Sequence, residues 1–372
     1  MGRSDRTRIE RPYGNGTPMN TALVDAIVRA VLYEGYMLYP YRPSAVKNRQ
    51  RFNFGVVYPR AYSVAQGGAD ACTMRTECLV QGDPVSECAV RVRFLRMVDR
   101  SVTQPRKCSN HLMSMSEADF ELVQRLEIDG KNYLPWQEAV EETIEITQFN
   151  LVALAAQPMK WPFRLSPAQQ REAIRNERGE VAGIILRNKA TVSGTIELSA
   201  QLLQPGLFKL TVLISNESRP ATSAPLTREL ALSQSLLSAH TILEVRGGEF
   251  VSLADPPEPF QAFARACQNV GTWPILVGER DRRDTMLSSP IILYDYPQIA
   301  PESPGDLFDG AEIDEILSLR ILTMTEEEKR EMRESDERAR QILERTESMP
   351  DEQWMKLHGA LRGLRAVSGE KP

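Results

Sequence analysis

The sequence predicts an α+β fold: an antiparallel, β-rich main body with packed helices and a helical C-terminal extension. Three observations predict it. Apolar and polar residues alternate with a period of two in mid-chain, Gly/Pro turns separate these runs, and the chain beyond residue 310 has helical spacing. The boundaries that follow are a flexible N-terminal tail at 1–18, the main body at 19–305 and the charged extension at 306–372.

A first helix is predicted to begin at Asn20 or Thr21, because either side chain can cap it. Gly35 can end this helix, since glycine adopts the left-handed conformation without steric cost. The apolar face between them consists of Leu23, Ile27, Val28, Val31 and Leu32.

Strand patterns follow this helix. Alternation over Cys88–Leu95 predicts a half-buried strand, with a turn before it at Gly82-Asp83-Pro84. A short helix is predicted at Glu117–Leu126. The run Glu138–Ala156 fits a helix or a strand equally well, and Ser166-Pro167-Ala168-Gln169 indicates a helix start.

The clearest hairpin signal lies around Pro205-Gly206, which joins alternating runs at residues 192–202 and 208–214. A second hairpin is predicted around Gly247-Gly248. Two further strands, Trp273–Val277 and Ile291–Tyr294, are expected to flank the charged loop Gly278–Asp284.

Cap signals predict the remaining helices. Asp255 is expected to cap a helix that ends at Gly271, and Asp309 one over residues 313–320. A linker is expected at 297–310, and Thr325 with Glu328 forms a capping-box pattern. The last helix carries an apolar stripe made of Trp354, Leu357, Leu361 and Leu364.

Composition excludes several classes of protein. The 372 residues are 42% hydrophobic and 26% charged, as in an ordinary globular protein, and the net charge of −5 disfavours nucleic-acid binding. No apolar run reaches the roughly 18–20 residues of a membrane span, and the N-terminus lacks a signal-peptide core. We therefore expect a cytoplasmic protein.

Catalytic and cofactor motifs are absent from the sequence. There is no phosphate-binding glycine loop, nucleophile elbow or zinc-protease motif, so no cofactor and no metal are expected. His240 is interpreted as a structural histidine. The odd number of cysteines predicts reduced thiols; a metal or redox role for Cys72, Cys78 or the Cys108/His111 pair stays open as an alternative.

A tyrosine-rich, basic stretch at 33–62 is the main candidate site. It contains no Asp or Glu between Gly35 and Ala69, although the chain as a whole is acidic. Arginine forks suit carboxylates or phosphates, which predicts a site for a partner or an anion. The alternative is that these residues neutralise acids within the fold. The candidates are Tyr36, Tyr39, Tyr41, Arg42, Lys47, Arg49 and Arg51.

A second polar constellation is the loop at 279–284 with the serine that follows it. Glu279, Arg280, Asp284 and Ser288 bring acids, bases and a hydroxyl together, as an active site would. A solvated hairpin loop has the same composition, and the sequence leaves both interpretations open.

Three segments carry a family resemblance: Leu32–Arg42 with Lys47–Arg51, Cys72–Cys78, and Leu287–Tyr294 with Ala300–Asp306. Through them the chain, from about residue 20 to 365, resembles a bacterial family whose genes accompany those of uptake nickel–iron hydrogenases. The resemblance implies a pathway but no catalytic residue. The chain lacks the metal-binding and nucleotide-binding motifs of the hydrogenase maturation factors, which puts metal insertion and GTP hydrolysis in doubt.

Two hypotheses follow. The first is a non-enzymatic accessory or assembly protein that binds a hydrogenase subunit or its precursor through the 33–62 stretch. The second is an enzyme or binding protein for a small anionic substrate, in which Arg42, Lys47 and Arg49 bind the substrate and the 279–284 loop supplies acid–base groups.

Overall fold

A computed structural model of the chain describes residues 21–42, 45, 48, 51–106, 120–219, 226–280, 282–299, 314–350 and 352. Several predicted features lie outside these residues: the tail at 1–18, Lys47, Arg49, the Cys108/His111 pair, the Asp309 cap, most of the 297–310 linker and the last helix at 354–364.

The described residues form an α+β fold around a large antiparallel sheet, as the sequence predicts. Eleven of the strands form one sheet, and β3 and β4 pair separately. The strands are β1 Thr73–Pro105, β2 Phe120–Val123, β3 Leu126–Ile128, β4 Lys131–Tyr133, β5 Trp136–Asn150, β6 Met159–Leu165, β7 Ala168–Arg175, β8 Val181–Lys189, β9 Val192–Gln204, β10 Leu207–Asn216, β11 Leu237–Val251, β12 Trp273–Leu276 and β13 Thr285–Ser289. The helices are α1 Thr21–Leu32, α2 Arg60–Ala65, α3 Leu151–Ala156, α4 Arg228–Ser233, α5 Gln261–Arg265, α6 Asp314–Leu322, α7 Glu326–Ser335 and α8 Glu337–Glu347.

Strand β1 organises the sheet, because its 33 residues pair in turn with β10, β11, β5, β8 and β2. The predicted alternation is present, and both faces are buried. Val92 and Phe94 point into the main core, whereas Leu95 and Met97 pack in a second core beneath the C-terminal helices. The long strand therefore connects the two cores.

Strands β6 to β9 form one long ribbon. The register of β6 on β9 continues without a slip into that of β7 on β8, from Met159 opposite Leu198 to Ile174 opposite Gly183. The helix predicted at residues 166–169 is wrong: the chain passes from β6 to β7 through a break at Ser166-Pro167. Pairing with β8 outweighs the local Ser-Pro signal, because propensity is only a weak guide to structure.

The hairpin around Pro205-Gly206 is confirmed as β9 and β10, whereas the one around Gly247-Gly248 is wrong. β11 runs straight through both glycines and pairs with β1 on either side of them. A Cβ at Gly248 would lie 2.5 Å from the Gln81 carbonyl oxygen, so this glycine permits close strand approach rather than a turn.

The turn expected at Gly82-Asp83-Pro84 is a bulge within β1. The register jumps from Gly82 to Glu87 on β1 while β11 advances only from Gly248 to Arg246. The Ser86 hydroxyl closes the bulge by accepting from the Asp83 amide at 2.8 Å and donating to the Gly247 carbonyl oxygen at 2.6 Å.

Three other expectations are resolved by strand pairing. The described part of the helix predicted at 117–126 contains strand β2, paired with the end of β1. The undecided run 138–156 is strand β5 followed by α3, which Asn150 caps. The strand that pairs with β12 is β13 at 285–289, and Ile291–Tyr294 is not a strand because the chain leaves the sheet at Pro290.

Several of the predicted helix signals are confirmed. α1 has the predicted range, and Gly35 has a φ of +74° just beyond it. The Thr325–Glu328 capping box is present at α7. A short helical segment follows Pro257 as predicted, but Asp255 makes no side-chain cap there, and α5 ends at Arg265 instead of at Gly271. No helix among the described residues is long and apolar enough to cross a membrane.

The C-terminal helices α6, α7 and α8 pack on the main body through the second core. This core combines residues from the 33–62 stretch, the outer face of β1 and the three helices. The described part of the tyrosine-rich, basic stretch at 33–62, called the Tyr/Arg stretch from here on, therefore lies between the sheet and helices α6 to α8.

Candidate functional site

In the described part of the Tyr/Arg stretch most side chains are buried or half-buried. Tyr36 and Tyr41 are fully buried, and Arg51 is only 3% exposed. Of the candidates that the structure describes, only Tyr39 and Arg42 reach the surface in part. The buried residues therefore cannot contact a partner or an anion directly in this structure.

Arg51 joins the stretch to the start of β5. Its guanidinium carbon lies 3.7 Å from the Trp136 ring centroid, and its Nη atoms donate to the carbonyl oxygens of Tyr36 and Gln137, both at 2.8 Å. No carboxylate in the described chain lies within ion-pair distance of it. Burial lowers the pKa of Arg51 to about 10, so the side chain remains charged at neutral pH.

Asp336, at the junction of α7 and α8, joins the stretch to the C-terminal helices. One of its oxygens accepts from the Tyr36 hydroxyl at 2.8 Å, and the other caps α8 by accepting from the Arg338 amide at 2.8 Å. Burial, followed by the charge of Asp336, raises the pKa of Tyr36 well above its usual range. The Arg338 guanidinium lies over the Tyr33 ring and donates to its hydroxyl.

We call these residues the Tyr/Arg cluster: Tyr33, Tyr36, Arg51, Trp136, Asp336 and Arg338. Arg42 lies at its edge and pairs with Glu328 at 3.1 Å and with Glu331 at 3.8 Å, both on α7. Arg42 is thus neutralised by acids within the fold, as one of the two interpretations of the stretch has it. Arg51 bonds to carbonyl oxygens instead and its Nε has no hydrogen-bond partner among the described residues, while Arg60 is exposed.

A polar groove of about 880 Å³ lies beside the cluster, between β5, the β7–β8 pair and the α7–α8 junction. All four arginines that line it already have partners in the chain. Arg100 pairs with Glu138, Arg187 with Glu138 and Glu172, Arg333 with Glu347, and Arg338 with the Tyr33 hydroxyl. The groove consequently presents both signs of charge instead of a concentrated positive potential.

The second candidate site is a hairpin loop between β12 and β13. Glu279 and Arg280 are exposed, and Arg282 pairs with Asp284 at 2.6 Å. Ser288 is fully buried and forms hydrogen bonds with the hydroxyls of Thr76 and Thr272 at 2.8 and 2.7 Å. The serine therefore lies in the core, away from the solvated loop.

The structure does not bring the two candidate sites together. β11 separates them: Leu237 belongs to the core that contains Tyr41, and the Val245 amide donates to the Asp284 carbonyl oxygen. The eight steps of strand from Leu237 to Val245 span ~26 Å. A substrate site made from both sets would need them within a few ångströms of one another.

Sequence reasoning missed a buried Ser–His pair. His240 Nδ1 lies 2.7 Å from the Ser238 carbonyl oxygen, which can only accept, so Nδ1 carries the proton. The Ser289 hydroxyl therefore donates to Nε2, at 3.3 Å. Burial lowers the pKa of His240 to about 4, and both side chains are fully buried. The pair has the arrangement of an activated nucleophile, but both side chains are inaccessible to a substrate. Its hydrogen bond links β11 to β13.

The described cysteines are free thiols. Burial raises the pKa of Cys78 well above its usual range, that of Cys88 to about 12 and that of Cys267 to about 11, so these thiols are protonated at neutral pH. Within the described residues, no group of three or more His, Cys, Asp or Glu side chains is placed to hold a metal ion.

Trp136, Asp336 and Arg338 were not predicted as members of the site. They lie far along the chain from Arg51, and no local pattern links them to it. The only available signal was the position of Asp336 directly before an amphipathic helix, which marks a cap and not a contact with Tyr36.

Comparisons with known proteins add little to this geometry. No protein-family model matches the chain, and no curated protein matches it. Among solved structures, the Salmonella SPI-1 type III secretion injectisome secretin InvG (residues 176 to the end, open gate state) aligns with 68% of this chain and 66% of that chain. The identity is 10% and the TM-score 0.10, which supports no inference about fold or function.

Proposed function

We propose that the protein is a non-enzymatic accessory or assembly protein that binds a protein partner in the cytoplasm. The partner proposed is a subunit of an uptake nickel–iron hydrogenase or its precursor. The hydrogenase pathway rests on the sequence resemblance alone, whereas the choice of a protein partner over a small anion rests on the geometry of the site.

The observation that supports a protein partner is the pairing of the groove arginines. A small anionic substrate needs several cationic groups that converge without their own counter-ions. Here Arg100 and Arg187 share Glu138, and Arg338 is held on Tyr33. An extended surface that carries both signs of charge can be matched by complementary charges on a protein partner.

The rival enzyme hypothesis loses support from the placement of its parts. Arg42 forms an ion pair with Glu328 on α7. The 279–284 loop contacts β11 at Val245, far along that strand from Leu237, which packs in the same core as Tyr41. Lys47 and Arg49 lie outside the described residues, so the experiment below includes them.

The experiment is affinity purification of the tagged protein from a bacterium that produces an uptake hydrogenase, followed by mass spectrometry. The intact chain is compared with a variant in which Arg42, Lys47 and Arg49 are changed to Gln and the buried Arg51 is kept. A variant with Arg178→Gln, Arg246→Gln and Arg265→Gln serves as a charge-matched control, because these arginines are exposed and lie away from the cluster.

Recovery of a hydrogenase subunit with the intact chain and with the control supports the proposed function. Loss of the subunit in the triple variant would assign the docking site to Arg42, Lys47 and Arg49, and its retention would place the site elsewhere on the surface. Failure to recover any hydrogenase component with the intact chain contradicts the proposal.

A further inference from the structure

Two large apolar side chains project from the segment that follows β13. Tyr294 is 90% exposed and Ile292 is 71% exposed, whereas Leu293 between them packs against the α1 core. Exposed aromatic residues on a fixed backbone are frequent anchors in protein interfaces. The question is whether this backbone is fixed.

Contacts on both sides hold the segment in place. Asp295 accepts from the Ser252 hydroxyl at 2.5 Å and from the Leu276 amide at 2.8 Å. The Tyr296 amide donates to the Leu276 carbonyl oxygen at 2.7 Å, and its hydroxyl donates to the Arg282 carbonyl oxygen at 3.2 Å. Tyr294 is therefore presented by residues that are bonded to the sheet, which lowers the entropy lost on binding.

The other end of the segment is equally constrained. The Ile291 amide donates to the Ser289 hydroxyl at 3.1 Å, and the Pro290 ring packs against Gly55. A Cβ at Gly55 would lie 2.5 Å from Pro290, so the two segments of the chain are in close contact. Ile292 thus follows a fixed turn.

The charges next to this segment indicate the chemistry of a partner. The Tyr296 hydroxyl bonds the segment to the loop that carries Arg280 and Arg283. Both arginines are exposed, and neither forms an ion pair with any residue that the structure describes. In a chain with a net charge of −5, these two arginines, which lie next to the exposed Glu279 and two apolar anchors, are complementary to an apolar pocket with carboxylates placed opposite the arginines.

We infer that Ile292, Tyr294, Arg280 and Arg283 form the docking surface for the protein partner, with Tyr294 inserted into an apolar pocket and the arginines on its acidic rim. The inference rests on the proposed function and says where on this chain the partner binds. The surface is distinct from the Tyr/Arg cluster.

The test measures binding of the two purified subunits of an uptake nickel–iron hydrogenase to the immobilised full-length protein. Tyr294→Ala is expected to weaken binding at least about tenfold, mainly through faster dissociation. Arg280→Gln with Arg283→Gln is expected to slow association several-fold at low salt, with the difference vanishing near ~1 M salt. Leu122→Ala, at 71% exposure on β2, is the matched control.

The outcomes separate this inference from the proposed function. Binding by the intact chain that Tyr294→Ala leaves unchanged overturns the docking surface and keeps the function. No binding of either subunit by the intact chain overturns both. If light scattering shows that the intact chain is a dimer and Tyr294→Ala a monomer, the occupant is a second copy of the chain and the inference is wrong.

Discussion

Two buried arginines connect different parts of the molecule by similar bonds but differ in how their charge is balanced. Arg96 lies at the break of the long ribbon, where one Nη atom lies 2.5 Å from the carbonyl oxygens of both Ser166 and Ala190, and the other lies 3.3 Å from Glu142. Arg51 also binds two carbonyl oxygens, but aromatic rings surround it in place of a carboxylate.

The difference shows how the chain distributes its charges. Between β1 and β5, each buried arginine has an acid on the neighbouring strand, because register places the two residues close together. Arg51 has no carboxylate within ion-pair distance among the described residues, and the quadrupoles of Trp136 and Phe52 with two carbonyl dipoles take the place of the counter-ion. Removing the Arg51 side chain therefore leaves no carboxylate without its ion-pair partner.

The largest effect is expected for Arg96→Met. The change leaves the half-buried Glu142 without a partner and two carbonyl oxygens without donors, so it should lower the free energy of unfolding by about 3–5 kcal/mol. Adding Glu142→Gln should restore at least about 1 kcal/mol, since the orphaned charge is then absent. Urea unfolding of both variants measures this; no recovery in the double variant would contradict the role given to Glu142.

A smaller effect is expected for Arg51→Met, about 2–4 kcal/mol, because two carbonyl oxygens lose donors but no carboxylate is orphaned. Arg51→Lys retains the charge over Trp136 but cannot reach both carbonyl oxygens as the fork does, so it should recover less than about half of the loss. Urea unfolding with both variants separates charge from fork geometry. A lysine variant as stable as the parent would show that charge alone suffices.

The contrast also explains how much of the fold the sequence predicts. Signals within a few residues, such as the Thr325 capping box, the Gly35 stop and the 205–206 turn, identify the elements that they mark. The elements that were mispredicted depend on distant partners. β7 is a strand because β8 pairs with it, and Gly248 lies within β11 because β1 approaches it closely.

The candidate site divides in the same way. Composition identifies the Tyr/Arg stretch, of whose arginines the structure describes Arg42, Arg51 and Arg60. The contacts of this stretch are decided by packing. Asp336, which bonds to Tyr36, lies 300 residues away along the chain, and Trp136, which stacks on Arg51, is the first residue of β5. Nothing local in a single sequence encodes such contacts, so the sequence left open whether the stretch binds a partner or pairs within the fold, and it could not name the contacting residues.

The next prediction concerns the link between the cluster and the C-terminal helices. Tyr36→Phe removes the donor to Asp336, a carboxylate that remains bonded to the Arg338 amide, and should cost about 1.5–3 kcal/mol at pH 7. Thermal or urea unfolding measures the loss. Leu122→Ala, in an exposed position on β2, is the control and should change the stability little.

The same variant should change the response to alkaline pH. The folded protein raises the pKa of Tyr36 above its usual 10.0, so the unfolded chain loses this proton first and stability falls as pH rises beyond 10. Each such group contributes up to about 1.4 kcal/mol per pH unit to that slope. Tyr36→Phe should flatten the slope without abolishing it, because the pKa of Tyr33 is raised too. An unchanged slope would show that Tyr36 is not held neutral.

The smallest effect is expected for Arg42→Gln, at the exposed edge of the cluster. Its guanidinium is about a quarter exposed and pairs with Glu328 at 3.1 Å, so water and salt screen the pair and its loss should cost less than about 1 kcal/mol. The cost should shrink further at high salt, where exposed pairs are screened. Urea unfolding at low and high salt tests both statements. If Arg42→Gln lowered the free energy of unfolding as much as Arg51→Met, the ion pairs of Arg42 would stabilise the C-terminal helices as strongly as the buried centre of the cluster. The distinction between a paired, partly exposed charge and a buried charge surrounded by aromatic rings would then be wrong.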